Sequence, residues 1–124
     1  MMITPSPFER MTTFLTGDFA FAVWDEYPVS PGHALVVPKR EVASIFTLDR
    51  DEYAGLWLLV REVADMVREQ VHCDGLNIGV NIGEAAGQSV RHAHVHIIPR
   101  FTGDHPSPRG GVRAIVPGKG DYVP

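Results

Sequence analysis

Three histidines at alternating positions, His92, His94 and His96, constrain this chain more than any other feature of its sequence. Side chains of a β-strand point to opposite faces in turn. The spacing therefore predicts a strand over residues 90–99 with all three imidazoles on one face, about 6–7 Å apart. The apolar residues between and after them would then face the core: Ala93, Val95 and Ile97. Packing alone gives little reason to line one face with imidazoles, so this strand is predicted to carry a functional site.

Two chemistries fit three imidazoles on one face. Neutral imidazole is a common transition-metal ligand. It is also a nucleophile that can attack phosphorus while neighbouring imidazoles handle protons and charge. The spacing does not choose between them, but the flanking residues favour the second. The turn Gly87-Gln88-Ser89 offers hydroxyl, amide and backbone N–H donors to an anion, whereas residues 85–103 contain no carboxylate or thiol to complete a metal site.

Hydrophobic patterning along the rest of the chain predicts an α+β fold with an antiparallel sheet. A helix is expected near 50–71, because apolar residues recur there at helical spacing and Asp49 with Glu52 resembles a capping box. A shorter helical turn is expected near Glu41–Phe46. Apolar runs bounded by turn-forming residues predict further strands at 19–24, 33–37, 76–82 and 112–116.

The length of 124 residues, 44% of them apolar, predicts one domain with a buried core. Residues 1–17 are expected to form an irregular lead-in, and residues 101–124 a loop-rich extension dense in Gly and Pro. No apolar run approaches the ~20 residues needed to cross a bilayer, and the start does not resemble a signal peptide. The single cysteine, Cys73, cannot form an internal disulfide or a four-thiolate zinc site. We therefore expect a reducing, cytoplasmic setting without membrane partners.

The charge distribution is uneven. Residues 1–90 carry six Lys/Arg and thirteen Asp/Glu, whereas residues 91–124 carry five Lys/Arg and two Asp/Glu, and the net charge is −4. A net-acidic chain without a dense basic run is a poor candidate for nucleic-acid binding. The basic end remains suited to a small anionic ligand.

Together these segments resemble one known family. The stretch Gly87–Arg100, GQSVRHAHVHIIPR, looks like the signature of the histidine triad (HIT) nucleotide hydrolases and transferases. Asp25–Lys39 and Leu76–Asn81 are similar to the family's other two sequence blocks. The resemblance implies an HIT-like α+β fold over 1–124, with a mostly antiparallel, roughly five-stranded sheet, one long helix and one short helix. It also implies a homodimer.

The resemblance assigns roles to four histidines. His94 would be the nucleophile that attacks the α-phosphorus of a nucleotide and forms a nucleotidyl-histidine intermediate. His96 would contact the phosphate and the leaving group. His92 would hold the nucleophile in the right tautomer, partly through its backbone carbonyl, and His33 would support that network.

The resemblance also assigns the substrate-binding residues. Asp25 would bind the ribose hydroxyls, and the phosphates would be bound by Asn81, Gln88 and Ser89. The base is expected in an apolar cleft near Phe21, Val23 or Trp24. Distal phosphates are a further expectation for the cations near the end of the chain: Arg109, Arg113 and Lys119.

The function implied is cleavage at the α-phosphate that releases AMP from dinucleoside polyphosphates such as diadenosine tetraphosphate. Residues 99–104 look like the bacterial diadenosine tetraphosphate hydrolase branch. No cofactor is required by this chemistry, and Mg²⁺ bound to the polyphosphate substrate is an open alternative. The nearest alternative is an adenosine phosphoramidase of the same family. Alternatives of other classes are a metal-dependent hydrolase with His92, His94 and His96 as ligands, and a nucleotide-binding module without turnover.

Overall fold

A computed structural model describes residues 2–123 as five antiparallel strands and one long helix, with short 3-10 turns between them. In chain order these are β1 Thr13–Thr16, β2 Ala20–Trp24, β3 Ala34–Pro38, α1 Arg50–Val71, β4 Gly75–Gly79 and β5 Val95–Arg100. The spatial order of the strands is β1-β2-β3-β5-β4. The predicted α+β class and antiparallel sheet are confirmed. Within residues 2–123 no helix is long and apolar enough to span a membrane.

The helix α1 begins where the sequence predicts. The Asp49 side chain accepts a hydrogen bond from the Glu52 N–H, and the Glu52 side chain accepts one from the Asp49 N–H, which completes a capping box. One stripe of the helix is buried against the sheet: Leu56, Leu59, Val60, Val63 and Val67. Since side chains three and four residues apart share a helix face, this stripe forms the main core with alternate residues of the central strands.

The other face of the sheet carries a smaller apolar cluster. Its members are Phe8, Val23, Leu35, Val37 and Val90. Val23, Leu35 and Val37 occupy the strand positions that alternate with those facing α1, so this cluster lies on the opposite face. The candidate site is built on this second face.

The strand predicted over 90–99 is shorter than expected. β5 begins at Val95, so only His96 of the three alternating histidines lies in a regular strand. The preceding backbone pairs elsewhere: Ile3 and Val90 form a parallel bridge, Arg91 N–H donates to the Ile3 carbonyl, and Ala93 N–H donates to the Val42 carbonyl. The backbone N–H groups of Arg91 and Ala93 are thus paired with Ile3 and Val42 and not with β3.

Two segments expected to be irregular or helical also differ. The lead-in over 1–17 contains the edge strand β1, whose Thr16 pairs with Phe21 of β2, and a 3-10 turn at Phe8–Arg10. The short helix expected near Glu41–Phe46 is a single 3-10 turn at Ile45–Thr47, capped by the Ser44 hydroxyl. The helix is limited to one turn because the residues that follow it begin the capping box of α1.

The strand predicted at 112–116 is wrong. Gly111–Ile115 form a 3-10 helix, which contacts β4. Gly110 and Gly111 both have positive φ, at 88° and 51°. This left-handed backbone turns the chain into a helical turn and prevents an extended strand.

Candidate active site

A cavity of about 450 Å³ opens on the sheet face opposite α1. Six of the residues predicted for the site line it: Asp25, His33, Asn81, Ser89, His94 and His96. Four other lining residues give it an apolar wall: Ile3, Phe8, Val29 and Leu35. The fold thus gathers side chains from four separate sequence segments around one space that combines polar donors with apolar surface, as a small-molecule site requires.

His94 is held in one tautomer by the backbone. Its Nδ1 lies 2.9 Å from the main-chain oxygen of His92, and a carbonyl oxygen can only accept, so Nδ1 carries the proton. The other nitrogen, Nε2, therefore keeps its lone pair. The ring is buried and packs edge-on against Phe8 at a centroid distance of 4.8 Å. An oriented imidazole with a free lone pair at a cavity wall is a nucleophile or a base.

His92 does not line the cavity. Its ring is fully buried, with Nε2 2.7 Å from the Pro38 carbonyl oxygen and Nδ1 2.6 Å from the Ser6 hydroxyl oxygen. Both ring nitrogens therefore have partners inside the protein, and the residue hydrogen-bonds to His94 through its main-chain carbonyl. This placement matches a positioning residue.

His33 and His96 form a pair whose tautomers follow from a backbone N–H. The Val29 N–H donates to His33 Nδ1 at 3.1 Å, so in a neutral ring the proton sits on His33 Nε2. That nitrogen lies 3.0 Å from His96 Nδ1 and 3.3 Å from an Asp25 carboxylate oxygen. Donation to the nearer His96 Nδ1 leaves His96 with a proton on Nε2. His96 thus offers an N–H donor where His94 offers a lone pair.

The three imidazoles at the cavity have pKa values below that of an ordinary histidine. Burial lowers the pKa of His94 and of His33, although the backbone hydrogen bond to His92 opposes this in His94 and the Asp25 carboxylate opposes it in His33. Burial, together with the neighbouring His94 and His33, lowers the pKa of His96 to about 4. All three rings are neutral at pH 7, so His94 keeps its lone pair and His96 is a neutral donor.

The loop between β2 and β3 places Asp25 and His33 together. One Asp25 oxygen accepts the Tyr27 N–H at 2.8 Å, while the other faces His33. Gly32 precedes His33 with φ of 84°, and a Cβ there would lie 2.9 Å from a Val71 methyl of α1. Only glycine fits this turn without strain, so Gly32 fixes where His33 enters the sheet.

Asn81 and Ser89 present unengaged polar groups to the cavity. Among residues 2–123 neither side chain has a hydrogen-bond partner, so both are available to a ligand. Gln88 behaves differently: its side chain donates to the Ala43 and Val90 carbonyls and accepts the Gly83 N–H. Gln88 does not line the cavity, and its amide organises the loop that presents Ser89.

The apolar wall is not the one expected from sequence. Val23 is buried in the second-face cluster, and Trp24 stacks on Phe14 at a centroid distance of 4.0 Å. Neither they nor Phe21 line the cavity, whose apolar surface includes Ile3, Phe8, Val29 and Leu35. Residues before β1 thus form part of the site, which sequence reasoning missed. Apolar residues of this segment, Ile3 and Phe8 among them, were the local signal.

The cations expected to reach distal phosphates lie elsewhere in the described chain. Arg109 donates to the Tyr122 carbonyl, and the Arg113 guanidinium lies 4.6 Å from the Tyr122 ring centroid. Neither they nor Lys119 line the site cavity. Arg109 instead lines a separate cavity of about 300 Å³ with residues of the 100–121 segment.

The three alternating histidines do not converge as metal ligands, because both nitrogens of His92 are engaged within the protein. Potential ligand atoms do approach one another at Asp25, His33 and His96. There, however, the Val29 N–H occupies the Nδ1 lone pair of His33, and a metal on Nε2 would require that ring to lose its remaining proton. A second such group, Glu9, Glu41 and His92, lies at the Ser6 side of the buried ring.

Comparisons with known proteins agree with this architecture. The HIT domain family matches residues 10–103. Bis(5'-adenosyl)-triphosphatase of Dictyostelium discoideum is 41% identical over 87 residues, 70% of this chain and 58% of that protein. AP-4-A phosphorylase of Mycobacterium tuberculosis is 37% identical over 89 residues, 71% of this chain and 46% of that protein. The chain thus spans about half the length of these curated relatives.

The fold also matches solved structures. A Zn-bound histidine triad family protein from Mycobacterium smegmatis has a TM-score of 0.69 at 33% identity, covering 77% of this chain and 69% of that chain. The matched residues 10–103 contain β1 to β5, α1 and all four histidines described above. The chain therefore belongs to the HIT domain family.

Proposed function

We propose that this protein hydrolyses dinucleoside polyphosphates at an α-phosphate and releases a nucleoside monophosphate, with His94 as the covalent nucleophile. The observation that carries the proposal is the His94–His92 contact: Nδ1–H donates to a backbone oxygen at 2.9 Å and leaves the Nε2 lone pair on a ring that lines the cavity. The names of the relatives, a diadenosine triphosphatase and an AP-4-A phosphorylase, support the substrate class.

The reaction proceeds in two displacements. His94 Nε2 attacks the α-phosphorus, an N–P bond forms, and the bond to the leaving polyphosphate oxygen breaks. Water then attacks the same phosphorus, the N–P bond breaks, and the nucleoside monophosphate leaves while the water proton passes to solvent. The imidazole returns to its starting tautomer because the His92 carbonyl keeps the proton on Nδ1 throughout.

His96 stabilises charge without giving up a proton. Its Nε2–H is fixed by the contact with His33 and is available to a phosphate oxygen as negative charge develops. A pKa of about 4 makes His96 a weak source of protons at pH 7. A polyphosphate leaves as a stable anion, whereas an amine needs a proton to leave, so this site favours phosphoanhydride over phosphoramidate substrates.

Different residues of the cavity bind the phosphates, the ribose and the base of the nucleotide. Asn81 and Ser89 donate to the phosphates, because their side chains face the cavity without partners in the described structure. Asp25 binds the ribose hydroxyls through the oxygen that Tyr27 does not occupy. The base rests on the apolar wall of Phe8, Leu35 and neighbouring residues. Gln88 contributes by holding the loop that carries Ser89.

We further propose that the working protein is a cytoplasmic homodimer that acts on a nucleotide and binds no nucleic acid or membrane. No resident metal is needed, since His94 supplies the nucleophile and neutral donors supply the charge stabilisation; Mg²⁺ would ride on the polyphosphate. A Zn-bound relative exists, so elemental analysis of the purified protein is a direct check. Less than a tenth of an equivalent of zinc is expected in fully active protein.

The function is tested by product analysis with purified protein. Diadenosine tetraphosphate, diadenosine triphosphate and an AMP–amine conjugate are assayed side by side, with and without Mg²⁺ and inorganic phosphate. AMP from the polyphosphates, lost in His94→Ala but retained in the control His105→Ala, is the expected result. ADP formed only with inorganic phosphate would identify a phosphorylase. Preference for the amine conjugate, or full activity of His94→Ala, would contradict the proposal.

A further inference from the structure

We infer that Ser6 is a positioning residue for His94, acting through the buried ring and backbone of His92. The inference rests on the proposed function for its kinetic readout, but its structural readout needs no substrate. Ser6 lies 86 residues from His92 in sequence, and its side chain is buried. It does not line the site cavity, so any effect on the reaction has to pass through protein contacts.

The hydrogen-bond partners of His92 and Ser6 determine which atom donates in each contact. The Pro38 carbonyl accepts from His92 Nε2 at 2.7 Å, which places the proton of the neutral ring on Nε2. His92 Nδ1 is then an acceptor, and the Ser6 hydroxyl at 2.6 Å must donate to it. The Ser6 oxygen in turn accepts the Phe8 N–H at 3.3 Å. The buried ring nitrogens and the Ser6 hydroxyl are thereby satisfied.

His92 also determines the tautomer of His94, the proposed nucleophile. The main-chain oxygen of His92 accepts the His94 Nδ1 proton at 2.9 Å, so the orientation of the His92 backbone determines the tautomer of His94. The ring of His92 is pinned at two opposite nitrogens, by Ser6 and by Pro38. Removing the Ser6 hydroxyl would leave the buried His92 Nδ1 without a donor, which is unfavourable, so we expect the His92 ring to shift.

The segment carrying Ser6 is itself anchored on both sides. The Ile3 N–H donates to the Ser89 carbonyl at 2.7 Å, and the Ser6 N–H donates to a Glu41 carboxylate oxygen at 3.0 Å. Two residues further on, the Phe8 ring packs edge-on against His94. Residues 3–8 therefore pass over the histidines, and the Ser6 hydroxyl makes the polar contact between this segment and the His92 ring.

The alternative carboxylate partner does not replace Ser6. Glu41 is the acidic group nearest to His92 Nδ1 among the described residues, at 4.0 Å. A carboxylate can only accept, and pairing with it would require Nδ1 to carry the proton. In a neutral ring Nε2 would then present a lone pair to the Pro38 carbonyl oxygen, which is repulsive. Loss of the Ser6 hydroxyl is therefore expected to disturb the tautomers of both His92 and His94.

The test compares Ser6→Ala, which removes the hydroxyl, with Ser6→Thr, which keeps it, and with Ser107→Ala as a matched control. Ser107 donates its hydroxyl to Asp121 in an exposed pair. Nitrogen-15 spectra of the histidine rings report the tautomer of His92 and His94 without substrate. Steady-state kinetics with diadenosine tetraphosphate separate kcat from KM.

Ser6→Ala is expected to lower kcat about tenfold with KM within about twofold of wild type, because one buried hydrogen bond is lost away from the cavity. Its His94 ring should shift from a single Nδ1–H tautomer to a mixture, and Ser6→Thr should restore both properties. Unchanged His94 ring signals in Ser6→Ala would overturn the inference, as would equal losses in the Ala and Thr variants. If the protein does not act on the nucleotide, the proposed function fails, and the ring spectra still decide the role of Ser6.

Discussion

The Nε2 atom of His33 lies 3.0 Å from the Nδ1 atom of His96. Because the Val29 N–H donates to His33 Nδ1, the neutral His33 ring carries its proton on Nε2 and donates it to His96 Nδ1. His96 is thereby left with its proton on Nε2, where a phosphate oxygen of the substrate would be bound.

Replacing His33 with alanine should lower kcat by about ten- to a hundredfold, since His96 would then sample both tautomers and present a donor only part of the time. Steady-state kinetics with diadenosine tetraphosphate measure this effect. His105→Ala is the matched control, because the His105 ring accepts only the Ser107 N–H in the exposed 101–123 segment. Equal kcat in the His33 and His105 variants would contradict the relay.

The pH dependence of kcat/KM should reflect the environment of His94. Burial lowers its pKa from the ordinary 6.5, and a proton on Nε2 abolishes the nucleophile. The rate should therefore decline on acidification with a midpoint below 6.5. A midpoint at or above 6.5, measured with free enzyme and low substrate, would show that the group being titrated is not the buried His94.

Folding stability should fall on acidification for the same physical reason. The pKa of His96 is about 4 in the folded chain and 6.5 in the unfolded chain, so the unfolded state binds more protons between these values. The free energy of unfolding therefore decreases as the pH drops from about 6.5 towards 4, and this contribution is flat outside that window. Urea titrations of the wild type and His96→Gln should show a steeper pH dependence in the wild type. Parallel curves would exclude the burial effect.

Asn81→Ala and Ser89→Ala should weaken substrate binding. Each removes a side-chain donor that faces the cavity without a protein partner among residues 2–123, so KM should rise about three- to tenfold for each variant while the melting temperature stays near that of wild type. Asn77→Ala is the control, since the Asn77 side chain accepts from Arg100 outside the site cavity. A KM unchanged in both site variants would remove these residues from the phosphate contacts.

Much of this fold was predictable because its signals are local. The capping box at Asp49 and Glu52 and the apolar stripe of α1 lie within one segment and specify the helix directly. The alternation of His92, Ala93 and His94 likewise gave the right faces. The predicted strand start was wrong, because the backbone N–H groups of Arg91 and Ala93 donate to Ile3 and Val42, which lie far away in sequence.

The sequence identified several of the residues that line the cavity but not the segment that supports them. Asp25, Asn81 and Ser89 stand in recognisable blocks, and the structure brings them to one cavity with the histidines. The contribution of residues 3–8 was hidden, since it depends on a bridge to Val90 and a hydrogen bond from Ser6 to His92. Gln88 was misplaced for a related reason: an amide can serve a phosphate or three backbone groups, and only the folded loop shows that it serves the backbone.

The stereochemical course at phosphorus tests the central claim most directly. A dinucleoside polyphosphate made chiral at the α-phosphorus with sulfur and oxygen isotopes is hydrolysed in isotopically labelled water, and the configuration of the released nucleotide is determined. Attack by His94 followed by attack by water inverts the centre twice, so overall retention is expected. Overall inversion would mean that water attacks the phosphorus directly and that His94 never bonds to it.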